Sequence, residues 1–151
     1  MASETVQDII TRIRAMHSQL GWFYEAMGET TAKERVKLLL QYICRHERNL
    51  ELALGAYQDQ AQKAVLGTWY KATPGNSPVP DLAQLRISPE MNADEVIRIA
   101  LEADQKLVDQ FRQLAENGAS EAVRDLFQKL IAIEEREEHQ LVRDAIELED
   151  L

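Results

Sequence analysis

Cysteine is almost absent from this chain: Cys44 is the only one in 151 residues. One thiol cannot build an internal disulfide framework or a multi-thiolate zinc site. Glycine and proline are nearly as scarce, at six and four, and every proline falls between Pro74 and Pro89. With so few breakers elsewhere, the chain reads as helices on either side of one loop. Long hydrophobic runs are missing too. No apolar stretch approaches the roughly 18 residues that a membrane-spanning helix needs, and the opening MASETVQD has no apolar core of the kind a secretory signal carries. Positive charge is the last shortage: 17 bases face 26 acids, for a net charge of −9. Such a surface repels phosphate backbones and anionic lipid, so neither nucleic acid nor a membrane surface is an expected partner. The sequence contains no nucleophile elbow, Walker loop, glycine-rich dinucleotide turn or Cys-x-x-Cys pair. Hydrolase, kinase and dehydrogenase readings therefore have no residues to stand on. The expectation is a single cytoplasmic domain spanning 1–151, with no organic cofactor.

What is present is helical periodicity, in a chain that is 45% hydrophobic and 28% charged. Four segments place apolar residues at intervals of three and four. The first opens near Ser3, carries Ile9, Ile13, Leu20 and Tyr24, and ends at Gly28. The second opens at a capping box, Thr31-Ala-Lys-Glu34, carries Val36, Leu40, Ile43, Leu50 and Leu54, and frays after Gly67. The third opens at a second such box, Asn92-Ala-Asp-Glu95, and stops at Asn117-Gly118. The fourth opens at Ser120 and runs through Leu126, Leu130 and Leu141 to the end. No segment alternates with period two. Short connections make helices one and two, and helices three and four, antiparallel hairpins. Between the hairpins lies a loop over about 71–91, rich in Pro, Gly and Ser and long enough to run the height of a bundle. The expected fold is an all-α four-helix bundle: two antiparallel hairpins joined by a long crossover loop.

Projecting each helix at about 100° per residue exposes polar side chains inside the apolar arcs. They are His17 on helix one, Glu47 on helix two with His46 at the edge, Asp104 on helix three, and Glu134 on helix four flanked by Glu137 and Glu138. Counted from the hairpin turns, all four helices present theirs near mid-height. Converging buried carboxylates repel one another unless they are protonated or neutralised by a cation.

In architecture the chain resembles the ferritin-like superfamily, in its rubrerythrin-related branch, over nearly its whole length. That resemblance implies Glu on helices one and three, Glu-x-x-His on helices two and four, and two bound irons. Here Glu47-Arg-Asn-Leu50 keeps the Glu and has Leu at the His position, while Glu134-Glu-Arg-Glu137, or one step over Glu135-Arg-Glu-Glu138, has Glu there. Helix one offers His17 centrally, with Glu25 at the margin, and helix three offers Asp104. Three histidines are too few for a hemerythrin-type site. Two readings follow. In the first, one or two divalent metals, Fe or Mn, bind at Glu47, Asp104, Glu134 and Glu137, with His17 as nitrogen ligand and Glu138 in reserve. The resemblance then implies oxygen, peroxide or iron-oxidation chemistry. In the second, the bundle is metal-free and the same residues form a buried His/carboxylate network in a binding or structural module.

His46 and His139 are expected at the surface, the latter paired with Glu135, and Cys44 is expected to be a buried, inert thiol. Trp69-Tyr70 is expected to cover an open end of the bundle. Trp22, Leu38, Leu52 and Ile99 fall outside the central arcs, which predicts a homodimer through helices one and two.

Overall fold

A computed structural model describes residues 3–71 and 85–149. Its elements are β1 (Ser3–Thr5), α1 (Val6–Thr30), α2 (Glu34–Gln60), α3 (Lys63–Leu66), β2 (Trp69–Lys71), α4 (Ala93–Glu116) and α5 (Glu121–Glu149). Helices one to four of the sequence reading are α1, α2, α4 and α5.

Local chemistry sets the helix starts. Thr5 caps α1 through a box with Asp8, each side chain bonding the other's backbone N–H at 3.1 Å. Asn92 and Glu95 form the expected box at α4, with Asn92 Oδ1 accepting from Glu95 N at 2.9 Å. Ser120 Oγ accepts from Val123 N at the start of α5. The box expected at Thr31 does not form. Lys33 occupies the cap position of α2 without a side-chain bond. The buried Thr31 hydroxyl instead donates to Pro89 O at 3.4 Å, tying the first hairpin to the segment that leads into α4.

Two boundaries also move. α1 continues to Thr30, and α2 stops at Gln60 instead of fraying after Gly67, because Ala61 turns extended at φ −71°, ψ 151°. The chain then forms α3 and enters β2, which pairs antiparallel with β1 in the register Ser3↔Lys71, Glu4↔Tyr70, Thr5↔Trp69. Strands of three residues are too short to show a period of two, so no alternation marks this ribbon.

The crossover follows from what meets at each end. At one end the ribbon joins the start of α1 to the chain leaving α2, and Tyr70 Oη donates to Leu114 O in the last turns of α4 at 2.7 Å. At the other end, Lys33 Nζ donates to Glu90 O at 2.7 Å, just before α4 begins. So α2 and α4 run parallel, and the link between them joins points at opposite ends of the bundle, about 36 Å apart for a helix of this size. Residues 72–84 of that link, with Pro74, Pro78 and Pro80, lie outside the described residues. α1 packs on α2 and α4 on α5, and α2 also contacts α4 and α5.

Tyr70 caps the lower end of the core with its ring edge-on to Phe127 at 5.7 Å, whereas Trp69 stays exposed. One glycine permits a close approach: a Cβ on Gly55 would lie 2.7 Å from the Arg14 guanidinium, which crosses there to reach Glu51 and Gln58. The interior is filled by Ile13, Leu20, Ile43, Leu54, Leu107 and Phe111, all fully buried. Among the described residues, no helix is long and apolar enough to cross a membrane.

Candidate metal centre

Midway along the helices this apolar interior gives way to a polar layer. His17, His46, Glu47, Asp104 and Glu134 are all buried there, so all four long helices contribute. Each side chain reaches the layer because it replaces one apolar member of its helix's inward stripe: His17 follows Ile13, Asp104 follows Ala100, and Glu134 follows Leu130.

Two imidazoles organise the acids. His17 lies with Nδ1 2.5 Å from Glu47 Oε2 and Nε2 2.8 Å from Glu134 Oε1, linking α1 to α2 and α5. His46 lies with Nε2 2.7 Å from Asp104 Oδ2, linking α2 to α4. Its Nδ1 is 3.8 Å from Glu137 Oε2, which is an ion-pair distance and too long for a hydrogen bond. The two halves meet at α2, where one donor atom each from His46, Glu47 and Asp104 lie within 4.8 Å of one another. Glu138 is half-buried and feels the charges of Asp104 and His46 without a hydrogen bond to either. Of the residues singled out in the sequence, the structure thus brings His17, Glu47, Asp104, Glu134 and Glu137 into one layer and leaves Glu138 at its edge.

His46 corrects the surface placement expected from sequence. α2 is contacted from three sides, so its buried arc is wider than one stripe. The signal was there: Leu39, Ile43, His46 and Leu50 stand at helical spacing and are all buried. His139 is exposed as expected, but Glu135 pairs with Arg112 at 3.1 Å instead of with His139. Glu25 is exposed on α1 and pairs with Arg48 at 3.0 Å. Cys44 is buried, and burial pushes its thiol pKa up, which keeps it protonated.

The electrostatics follow from burial in opposition to pairing. Burial alone would push the His46 pKa down. Bonding to Asp104 and the nearby Glu137 and Glu47 overcome this and bring it up to about 10. His17 is raised well above its usual value in the same way, because the charges of Glu134 and Glu47 outweigh its burial. Glu47 is pushed up to about 7, first by burial, with His17 opposing and Asp104 adding to the rise. Beside the His46 imidazole, Glu137 is held below the usual carboxylate range. Without a cation, then, two imidazolium rings partly neutralise the acids of the layer.

That neutralisation is incomplete in hydrogen-bonding terms. His46 Nδ1 and Glu134 Oε2 are buried with no hydrogen-bond partner. Unpaired buried donors and acceptors are rare and costly, and here one imidazole nitrogen and one carboxylate oxygen, both good ligand atoms, are unpaired in the same layer.

Two hairpins joined by a full-length crossover, with acids and imidazoles at mid-height, define a ferritin-like bundle. Among solved structures, the chain is similar to a crystal structure from Thermotoga maritima provisionally described as a ferritin-like diiron-carboxylate protein. The two share 18% identity at a TM-score of 0.60, with 97% of this chain and 98% of that one covered, which establishes the fold. No protein-family model matches the chain, and no curated protein does.

Proposed function

We propose that the mid-bundle layer binds one or two divalent metal ions, iron or manganese, through Glu47, Asp104, Glu134 and Glu137, with His17 and His46 as nitrogen donors and Glu138 in reserve. The observation that carries this reading is the convergence of buried acids and imidazoles with Glu134 Oε2 and His46 Nδ1 left unpartnered. The donor inventory adds support. Four carboxylates and two imidazoles are the set that the ferritin-like resemblance implies, although the histidines have moved from Glu-x-x-His positions to His17 and His46. The description of the Thermotoga maritima protein as a diiron-carboxylate protein points the same way. Carboxylate-dominated ligation suits iron and manganese over copper. When bound, either metal would supply redox chemistry towards dioxygen or peroxide, with iron oxidation as the companion reaction. The chain's part is to hold the acids at one level, to exclude water with the surrounding leucines and isoleucines, and to release protons from His17 and His46 as a cation takes over their role.

A second reading has its own observation. His17 already engages both carboxylates within reach, Glu47 and Glu134, one on each ring nitrogen. On this reading the layer is a metal-free network in a binding or structural module. One measurement separates the two: metal content of untagged protein purified without chelators, followed by Fe(II) and Mn(II) titration of the stripped form. The metal reading expects a stoichiometric ion that disappears in Glu47→Ala and Glu134→Ala. Stripped protein that ignores both ions, with no change in melting temperature, would sink it, because a ligand of the folded state must stabilise that state.

We further propose a homodimer through α1 and α2. Trp22 on α1 is 68% exposed, and on α2 Leu52 and Leu38 are 66% and 38% exposed. Light scattering at tens of micromolar is expected to give twice the chain mass, and a monomer would refute the interface.

A further inference from the structure

Tyr24 is fully buried on α1, and among the described residues its hydroxyl makes no hydrogen bond. Its position sets it at the edge of the polar layer. Tyr24 follows His17 by two helical turns, on the same buried stripe of α1. Long side chains in a helix lean back towards the N-terminus, which carries the phenol from its own turn towards the level of His17. The turn between them lies against α2 at the layer: a Cβ on Gly21 would stand 3.8 Å from the Glu47 Cβ. Glu47 and Asp104 are near enough for their charges to act on the phenol, yet neither accepts its hydrogen.

A Phe side chain would fill the same space, so the hydroxyl adds nothing to packing. A buried O–H without an acceptor destabilises the fold. Burial, with Glu47 and Asp104 adding to it, pushes the phenol pKa well up, so the group stays a proton donor. Both carboxylates that act on it are engaged elsewhere, Glu47 Oε2 by His17 and Asp104 Oδ2 by His46. The acceptor that fits must therefore come from outside the chain. Leu20, Ile43 and Leu107 are fully buried, each one turn from a member of the layer, and restrict that acceptor to a few atoms.

We propose that the polar layer also takes up a small anion, of the size and charge of azide or hydroperoxide, and that the Tyr24 hydroxyl donates to it. The inference rests on the metal reading, because an anion entering beside Glu47 and Asp104 needs a cation to offset the like charge. Tyr24 is then a residue that positions the anion and is not itself a ligand of the cation.

The test loads the full chain with Fe(II) in air or with Mn(II), measures its metal content, and titrates in sodium azide. Binding is read by visible absorption for iron and by calorimetry for manganese. Tyr24→Phe is expected to carry the same metal and to hold azide about tenfold more weakly, through loss of one hydrogen bond to an anion. A second measurement needs no metal. With both proteins stripped, Tyr24→Phe should melt roughly 2–6 °C above the unaltered chain, because the unpaired hydroxyl is gone. Absence of bound metal in the unaltered chain overturns the metal reading and this inference together. Normal metal content with no azide binding, or with azide affinity unchanged in Tyr24→Phe, overturns this inference alone. So does a stripped variant that melts no higher, which would show that the hydroxyl already has an acceptor. A variant that loses its metal also overturns it, by making Tyr24 a ligand of the cation.

Discussion

Replacing His17 by Ala is expected to cost the metal-free fold about 3–5 kcal/mol, because it removes the partner of two buried carboxylates at once. The ring sits 2.5 Å from Glu47 and 2.8 Å from Glu134, and all three side chains are buried. Urea unfolding at neutral pH checks this, read as a lower midpoint at an unchanged slope. For a chain of this length the melting temperature should drop by roughly 6–20 °C. Adding Glu47→Gln and Glu134→Gln in the His17→Ala background should recover much of the loss, since neutral amides can bond to each other where two carboxylates repel. Mn(II) extends the experiment. If the layer binds metal, the ion should also restore stability to His17→Ala, because a dication neutralises the same two acids. A loss below about 1 kcal/mol would mean that the His17 bonds to Glu47 and Glu134 contribute little to the metal-free fold.

The second large effect is on pH dependence, and its sign should reverse with metal. In the metal-free protein Glu47 is raised to about 7 and His46 to about 10, with His17 raised as well. A raised pKa means that the folded state keeps a proton the unfolded chain has released. For Glu47 the stabilisation is complete below the ordinary carboxylate value and is lost as pH rises through about 7. For the histidines it is complete below the ordinary imidazole value and is lost, in the case of His46, on the way to about 10. Both windows slope the same way. Glu137, held low, acts only in more acidic solution, where its protonation weakens the fold. Melting temperature should therefore fall by roughly 5–10 °C from pH 5 to pH 9 without metal. With saturating Mn(II) it should instead fall from pH 8 towards pH 5, as protons compete for the ligands and expel the ion. Two flat curves would show that folding does not perturb the titration of the layer and that no metal binds there.

Most of the fold was legible because its causes are local. The stripes through Ile13, Leu54, Leu107 and Leu130 mark core faces that the structure buries, and Asn92 with Glu95 makes a box whose partners are three residues apart. Thr31 shows where that logic stops. The same pattern of residue types found a tertiary partner in Pro89, and the local box lost. The polar layer was visible as intrusions at His17, Glu47, Asp104 and Glu134, because a charged group inside an apolar arc needs an explanation wherever it occurs. His46 escaped because a single stripe per helix assumes one buried face, and α2 packs against three neighbours. Nor could the pairing of His17 with Glu134, 117 residues away, be read from any helix alone. It depends on how the hairpins dock.

That docking gives the layer a consequence for folding. Each hairpin can form from contacts close in sequence, whereas the His17–Glu134 bond joins residues 117 apart and so belongs late in assembly. Two hairpins meeting through leucine and isoleucine alone could slide by a helical turn, about 5.4 Å, and still bury similar area. With the layer present they cannot. A slip of one turn in either direction would set His46 against Ala100 or Val108 and leave Asp104 without its imidazole, burying charges that only the correct alignment pairs. The polar layer thus acts as a register key, selecting one alignment of the hairpins from several that hydrophobic burial would accept.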